Sequence, residues 1–211
     1  MPEILGKIEK PNVEEFKKGR KLFLVPLIYA RDNFPQDYLK LVEQYWQQAA
    51  EQINNLELKI GIINKIYYET NLYNGEEGLN AIKELNEKGY QLIKNKYDTG
   101  AGVQATEDEK LFYEFVDWGN CLQVIMTEKV FQKVTEYFQE AGQKRYSFIA
   151  QQIDATLKES EVGVLFIREE HAVQFPASIQ VFYIAPPALD DIHRWQREKL
   201  QENMTKEATP K

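Results

Sequence analysis

The order of secondary structure is clearest in residues 145–187, RYSFIAQQIDATLKESEVGVLFIREEHAVQFPASIQVFYIAPP. Apolar side chains recur every three or four residues from Arg145 to Lys158, which predicts an amphipathic helix. The unbroken apolar run Val162–Ile167 predicts a buried strand. A second strand is predicted over Ile179–Ile184, just before two prolines. Helix, buried strand, strand and helix in this order indicate a layered α/β domain.

The rest of the chain has the same alternation of strand and helix patterns. Leu22–Tyr29 is a continuous apolar run that predicts another buried strand. Pro26 within it has no N–H group, so we expect this strand at a sheet edge or at a bulge. Apolar and polar residues alternate over 58–68, which predicts a further strand. We therefore predict an α/β three-layer sandwich with a mixed central sheet of about four or five strands, flanked by about five to seven helices.

Composition along the chain suggests an arm, a domain and a tail. Residues 1–20 are polar and predict an N-terminal arm, whereas residues 201–211 lack apolar periodicity and predict a mobile tail. Residues 21–200 would form the α/β domain between them. We expect this domain to fold either as one body or as two lobes, 21–105 and 106–200.

The charge balance narrows the range of partners. The chain carries 26 Lys and Arg against 33 Asp and Glu, a formal net charge of −7. Nucleic acids and anionic membranes are bound by dense Lys/Arg patches, so this acidic balance argues against both. The longest apolar run, Leu22–Ala30, is far shorter than the about 20 residues that cross a bilayer. The start of the chain does not resemble a secretory signal, and we expect a cytoplasmic protein.

The small number of cysteines and histidines argues against a bound metal or cofactor. Cys121 is the sole cysteine, which excludes an intramolecular disulfide and a multi-cysteine zinc site. It lies in an apolar run, so we expect it to be buried and inert. With two histidines in the chain, a metal site would need a carboxylate-rich spacing that the sequence lacks. We expect no metal and no cofactor.

The best candidate site is the turn Arg168–His171, directly after the predicted strand Val162–Ile167. Ligands in open α/β sheets bind beyond the carboxyl ends of strands. Glu169, Glu170 and His171 are the candidate catalytic residues, with Asp117 as a further carboxylate, and Arg168 and His171 are the candidate ligand-binding residues. If the site exists, His171 and Glu170 should line a concave pocket, and a nearby carboxylate should raise the pKa of His171.

Three other patterns have a chemical and a structural interpretation. His193 has Asp190 and Arg197 at helical spacing, which suits either a site or a surface ion cluster. Asp98-Thr99-Gly100-Ala101 resembles the aspartate motif of retroviral-type aspartic proteases, but these residues are also common turn formers. Gly100-Ala101-Gly102 could cradle a phosphate, yet the acidic residues 107–109 that follow would repel it. We expect a turn at 98–102.

One stretch is similar in pattern to a known family. Lys144–Ile167, a helix ending in Thr156-Leu157-Lys158 and leading into Gly163-Val164-Leu165-Phe166-Ile167, resembles the third domain of archaeal and eukaryotic peptide-chain release factors and their bacterial relatives. The resemblance implies an α/β/α sandwich that binds partners. The Gly-Gly-Gln tripeptide through which those factors act is absent from this chain.

No segment carries a specific catalytic signature, so the expected function is binding. We expect a non-catalytic module that binds a protein partner or a small molecule, as a homo-oligomer. Two alternatives stay open: a translation-associated factor, as the release-factor resemblance implies, and a hydrolase with a Glu/His acid–base site.

Overall fold

The computed structural model describes residues 18–31 and 33–207, without the side chains of 203 and 205–207. Within these residues the chain forms five strands and six helices, confirming the predicted α/β class. In chain order they are β1 (Arg20–Pro26), α1 (Gln36–Ile60), β2 (Ile63–Tyr68), α2 (Gly75–Leu85), α3 (Glu87–Asp98), β3 (Gly102–Gln104), α4 (Glu109–Leu122), α5 (Glu128–Thr156), β4 (Val162–Ile167), β5 (Ile179–Tyr183) and α6 (Pro187–Glu207).

The five strands form one sheet in the order β3-β2-β4-β1-β5. All four strand pairings are parallel, where a mixed sheet was expected. The connections give the reason. Even the shortest one between neighbours in sequence, residues 168–178, crosses one face of the sheet, so β5 starts at the same end of the sheet as β4 and runs parallel to the other strands. β4 is the third of the five strands and all six of its residues are buried, which confirms it as a central strand.

Pro26 does not place β1 at an edge, because β1 lies between β4 and β5. Pro26 is the last residue of the strand, and the pairing with β5 ends two residues earlier, at Leu24. The missing N–H group therefore removes no bond from the β5 side of the ladder. Proline is tolerated at the end of a strand as well as in an edge strand, and the sequence pattern alone could not distinguish these two positions.

The sheet separates two cores of unequal size. On one face, alternate strand residues such as Phe23 and Val25 pack against α1, α2, α3 and α6 and form the larger core. On the other face, Leu22, Leu24 and Leu165 pack against α5 and residues 168–178 and form the smaller core. These layers are the three-layer sandwich that the sequence predicted.

Several boundaries differ from the sequence prediction. Residues 58–60, expected in a strand, continue α1, and β3 begins at Gly102, the last residue of the expected turn 98–102. The expected arm loses Arg20 to β1, and its residues 1–17 lie outside the described residues. The expected tail begins inside α6, which runs to Glu207, and 208–211 lie outside the described residues.

α4 and the first half of α5 form a helical hairpin, residues 109–140. α4 packs against α5 but contains no buried residue. The buried residues of α5 begin at Ala141, so the sheet supports only the second half of this helix. Within the described residues, no helix is both long and apolar enough to cross a membrane.

Candidate functional site

The candidate site lies at the carboxyl edge of the sheet, where the parallel strands end. β2 and β4 are neighbours, yet the chain leaves β2 toward the larger core and leaves β4 toward the smaller core. Neighbouring connections that diverge in this way open a crevice at the carboxyl ends of the strands. Glu69 follows β2 and Arg168 follows β4, so both residues lie at this crevice.

Four charged residues fill the base of the crevice and form an ion network: Glu69, Glu107, Arg145 and Arg168. Arg145 on α5 is fully buried, and its Nε donates to Glu107 Oε2 at 2.9 Å. Its Nη2 donates to Glu69 Oε1 at 3.1 Å and also to Glu107 Oε1. Arg168 donates to the same Glu69 from Nε at 2.7 Å and from its backbone N–H at 2.9 Å. The network thus joins β2, β4, α5 and the segment after β3.

The network keeps Arg145 charged although the side chain is buried. Burial alone would lower the pKa of Arg145, but the hydrogen bonds and negative charges of Glu107 and Glu69 hold it above its usual value. The guanidinium also lies over the rings of Phe115, at 5.0 Å, and Tyr146, at 5.4 Å. Its Nη1 is buried without a hydrogen-bond partner among the described residues.

A cavity of about 410 Å³ lies between the helical hairpin and the turn after β4. We call it the hairpin cavity, and it is lined by Phe115, Phe138, Gln139, Gly142, Gln143, Tyr146, Arg168, Glu170 and Ala172. The rings of Phe115 and Phe138 are stacked with centroids 4.6 Å apart and supply an aromatic wall. Arg168 and Glu170 supply one positive and one negative group. The arrangement suits a small molecule with an apolar body and a polar end.

The structure separates the residues of the predicted turn. Arg168 and Glu170 line the hairpin cavity, whereas His171 does not. His171 Nδ1 accepts a hydrogen bond from the backbone N–H of Val173 at 3.2 Å, and its ring lies against Phe175. Burial lowers the pKa of His171, and the negative charge of Glu69 only partly opposes it, contrary to the expected rise. The pKa of His171 is thus determined by its burial and not by the adjacent Glu169 and Glu170.

Glu169 pairs with His193 of α6 rather than with His171. Its Oε2 lies 2.6 Å from His193 Nε2, and its Oε1 accepts a hydrogen bond of 2.9 Å from the Tyr183 hydroxyl. Burial and the hydrogen bond to Glu169 raise the pKa of Tyr183. The partner of His193 is therefore a residue that the tertiary fold brings close, and not Asp190 or Arg197, which lie near it on the same helix.

The remaining candidates lie elsewhere. Asp117 lies exposed on α4, away from the turn, and lines a groove on the outer side of the hairpin. Cys121, expected to be buried, is exposed in the same groove. Asp98 ends α3 and forms an exposed ion pair with Lys94. Gly100 takes a φ of 106° in the turn that leads into β3. Among the described residues, no group of three His, Cys, Asp or Glu side chains could hold a metal ion.

Sequence reasoning missed the centre of the site: Glu69, Glu107, Arg145 and the aromatic wall. One signal was available, because Arg145 shares the spacing of the apolar stripe that continues through Ile149 and Ile153. A charged residue on an apolar stripe requires buried partners of opposite charge. The sequence analysis interpreted Glu107 as a residue that would repel a phosphate at Gly100–Gly102. In the structure its carboxylate instead pairs with Arg145.

The chain was compared with models of protein families, with curated proteins and with solved structures, and none of the three comparisons found a match. The resemblance of Lys144–Ile167 to a release-factor domain therefore stays a prediction. Function has to be inferred from the geometry of the site.

Proposed function

We propose that the protein binds, without altering it, a small zwitterionic molecule with an apolar body, such as an amino acid with a large apolar side chain. The observation that supports this most is the placement of Arg168 and Glu170 opposite the Phe115 and Phe138 rings in one cavity. A volume of about 410 Å³ lies within the range of small-molecule sites.

Arg168 is the group that would bind a carboxylate. Its Nε and backbone N–H are held by the two oxygens of Glu69, which fixes the direction of the side chain. The side chain remains 43 % exposed, so the outer part of the guanidinium can still donate to a ligand. An oriented guanidinium is well suited to a carboxylate because its planar fork donates two parallel hydrogen bonds.

Glu170 makes the site selective for a ligand that also carries a positive group. Its carboxylate repels a ligand with a second negative charge and attracts an ammonium group. The Phe115, Phe138 and Tyr146 rings would cover the apolar body of the ligand. A ligand with all three features matches the cavity better than one that lacks any of them.

Calorimetric titration with L-phenylalanine, phenylacetate and 2-phenylethylamine tests the proposal. L-phenylalanine should bind most tightly, and loss of either charge should weaken binding roughly tenfold or more, since one charge-assisted hydrogen bond contributes about 1.5–3 kcal/mol. The Glu170→Gln variant should lose the preference for L-phenylalanine over phenylacetate. Equal affinities for the three probes, or no binding by any of them, would contradict the proposal.

Two exposed alanines of the connection 168–178 offer a matched pair of variants. Ala172→Trp would place a large ring in the hairpin cavity, whereas Ala177→Trp adds the same ring outside its lining residues. Only Ala172→Trp should abolish binding of L-phenylalanine. Binding that survives in Ala172→Trp would place the ligand elsewhere.

A second candidate function is acid–base catalysis, favoured by the 2.6 Å contact between Glu169 and His193. Glu169 would orient the imidazole through Nε2, so that Nδ1 exchanges a proton with a substrate. Hydrolysis of p-nitrophenyl esters and phosphates by the wild-type protein, lost in His193→Gln, would support a hydrolase. Absence of turnover in the wild-type protein would rule against this candidate.

A further inference from the structure

The two edges of the sheet differ in how well they are protected from pairing with another strand. One edge is β3, which is protected because it has only three residues. The other edge is β5, whose five residues, Ile-Gln-Val-Phe-Tyr, include no charged residue and no proline. Its pairing with β1 also runs without a bulge. Charges, prolines and bulges are the usual protection of an edge strand, so β5 is open to a further strand.

β5 lies within the longest stretch of the chain that has no charged or histidine side chain. Residues 172–189 form this stretch of 18 residues, although 28 % of the whole chain is charged. The exposed residues along β5 and its flanks are Ala177, Ser178, Val181, Tyr183 and Ala185. Two copies with a net charge of −7 each repel each other, and the repulsion is smallest where the facing surfaces carry no charge.

The charged side chains near the two ends of β5 are already paired within the chain. Tyr183 donates from its hydroxyl to Glu169, and the same carboxylate binds His193. At the other end, Arg20 of β1 forms an ion pair of 2.7 Å with Asp154. Neither carboxylate is therefore left without a partner to repel the same group of a second copy.

The main chain of β5 offers hydrogen-bonding groups on its outer side. The N–H group of Ile184 donates to Leu24 of β1 at 2.8 Å, so it is directed into the sheet. Backbone groups alternate in direction along a strand, so the N–H and C=O groups of Val181 and Tyr183 are directed away from β1. No backbone partner among the described residues binds them. The side chains of the same two residues are 43 % and 49 % exposed.

We propose that two copies of the chain associate through β5, with the two strands antiparallel about a two-fold axis that passes beside Phe182. The two sheets then join into one continuous sheet. Val181 of each copy lies opposite Tyr183 of the other, and each such pair exchanges both of its N–H···O=C bonds. The contact uses the same surface of both copies and closes with two of them. This inference does not depend on the proposed ligand.

The free backbone groups select a second copy as the partner and fix the register. Ile179 also directs its N–H group outward, but this group already donates to Pro176 at 2.9 Å. An axis beside Val181 would pair Ile179 with Tyr183 and leave the Tyr183 carbonyl without a donor. An axis beside Phe182 uses all the free groups of Val181 and Tyr183, because a second copy carries the same donors and acceptors at the same spacing. It also places a β-branched side chain opposite an aromatic one, which is a favourable cross-strand pair.

The contact is small, which determines the expected affinity. Residues 177–185 span at most about 30 Å, and a sheet is about 10 Å thick, so each copy presents roughly 300 Å². A standard interface covers about 800 Å² per partner. We therefore expect a weak dimer with a dissociation constant on the order of 100 µM.

Sedimentation velocity from about 10 µM to about 1 mM protein measures this association. The wild-type protein should change from monomer to dimer over this range. Val181→Pro removes an outward N–H group and no bond to β1, so it should raise the dissociation constant at least about tenfold. Val181→Thr is the matched control, because it keeps the N–H group and the branched shape, and it should dimerise as the wild-type protein does. A wild-type protein that stays monomeric over this range would overturn the proposal.

A second variant keeps the test valid if the proline disturbs the fold. Val181→Lys retains every backbone group but places two like charges in the contact, so it should also be monomeric. Leu58→Lys adds the same charge at a side chain that is 85 % exposed near the end of α1, and it should leave the dimer unchanged. Equal dimerisation of Val181→Lys and Leu58→Lys would overturn the proposal.

Cross-linking tests the register of the two strands. In a Cys121→Ser background, which removes the sole cysteine of the chain, Val181→Cys and Tyr183→Cys each supply one thiol. Opposite residues of an antiparallel pair have Cβ atoms about 4.5–5.5 Å apart, and diagonal residues about 7–8 Å. A mixture of the two variants should therefore form disulfide-linked dimers faster than either variant alone. Faster cross-linking of Val181→Cys alone would overturn the proposed register, and no cross-linking in the mixture would overturn the association through β5.

Discussion

Glu107 is the residue on which the buried ion network most depends, because both of its oxygens bind Arg145. Its Oε1 also accepts a hydrogen bond of 3.0 Å from the backbone N–H of Thr70. Glu107→Gln would remove the charge while keeping the shape, leaving Arg145 with Glu69 as its only acidic partner within the network. Arg145 and Arg168 would then share one carboxylate, so we expect a loss of about 3–5 kcal/mol in the free energy of unfolding, the usual cost of removing one partner from a buried ion pair.

Chemical denaturation at low protein concentration measures this loss. Glu202→Gln is the control, because it breaks an ion pair with Lys199 in which both side chains are about half exposed. Surface pairs contribute about 0–1 kcal/mol, so the control should change stability little. Equal losses in the two variants would show that the network does not stabilise the fold.

His171 should titrate below its ordinary pKa of 6.5, because burial lowers the pKa and protonation would break the hydrogen bond from Val173. The unfolded chain then binds more protons than the folded chain between the folded pKa and 6.5. The contribution of His171 to stability is therefore complete above this window and is lost as the pH falls through it. NMR titration of the two histidines measures the pKa, with His171→Gln assigning the signal. A midpoint above 6.5 would contradict the burial.

At the scale of residues, the sequence indicated where the site lies but not which residues form it. Arg168 and Glu170 were found because they follow a recognisable buried strand. Arg145 could have been found from its position on an apolar stripe, but its partners could not. Glu107 and Glu69 are 38 and 76 residues from Arg145 along the chain. Only the order of the strands in the sheet brings them together, and no local pattern encodes that order.

At the scale of elements, β4 is the strand whose packing matters most, because it is central and buried on both faces. Leu165 is fully buried in the smaller core. Leu165→Ala should lower the free energy of unfolding by about 2–5 kcal/mol through lost transfer energy and the cavity left behind. Val181→Ala on the edge strand β5 removes a side chain that is 43 % exposed and should cost less than about 1 kcal/mol. Equilibrium denaturation showing similar losses would contradict the central role of β4.

The elements that the sequence mispredicted are those with conflicting or short patterns. β3 has three residues, of which only Val103 is buried, so it left no recognisable period. Leu58 and Ile62 gave the appearance of an alternating strand, yet they are 85 % and 67 % exposed. The helix that precedes them continues because Ile53 and Ile60, seven residues apart, both reach the larger core. The segment fits both a strand period of two and a helix period of 3.6 residues. Which residues are buried distinguishes the two, and this could not be read from the sequence.

At the scale of the whole molecule, the two faces of the sheet differ in what they support. α1, α2, α3 and α6 cover one face, whereas the smaller core depends on the second half of α5 and on residues 168–178. The hairpin cavity lies where α5 leaves the sheet and the hairpin begins. The candidate ligand site therefore lies at the boundary between the half of α5 that the sheet supports and the half that it does not.

α5 is one continuous helix of 29 residues, but its two halves should differ in stability. Ala141, Arg145, Ile149 and Ile153 anchor the second half, while residues 128–140 contain no buried side chain. Local opening is easiest where few apolar contacts are lost, so amides of 128–140 should exchange with solvent at least about tenfold faster than those of 141–156. Hydrogen exchange at low protein concentration measures this difference. Uniform protection along α5 would contradict the expected difference in stability between its two halves.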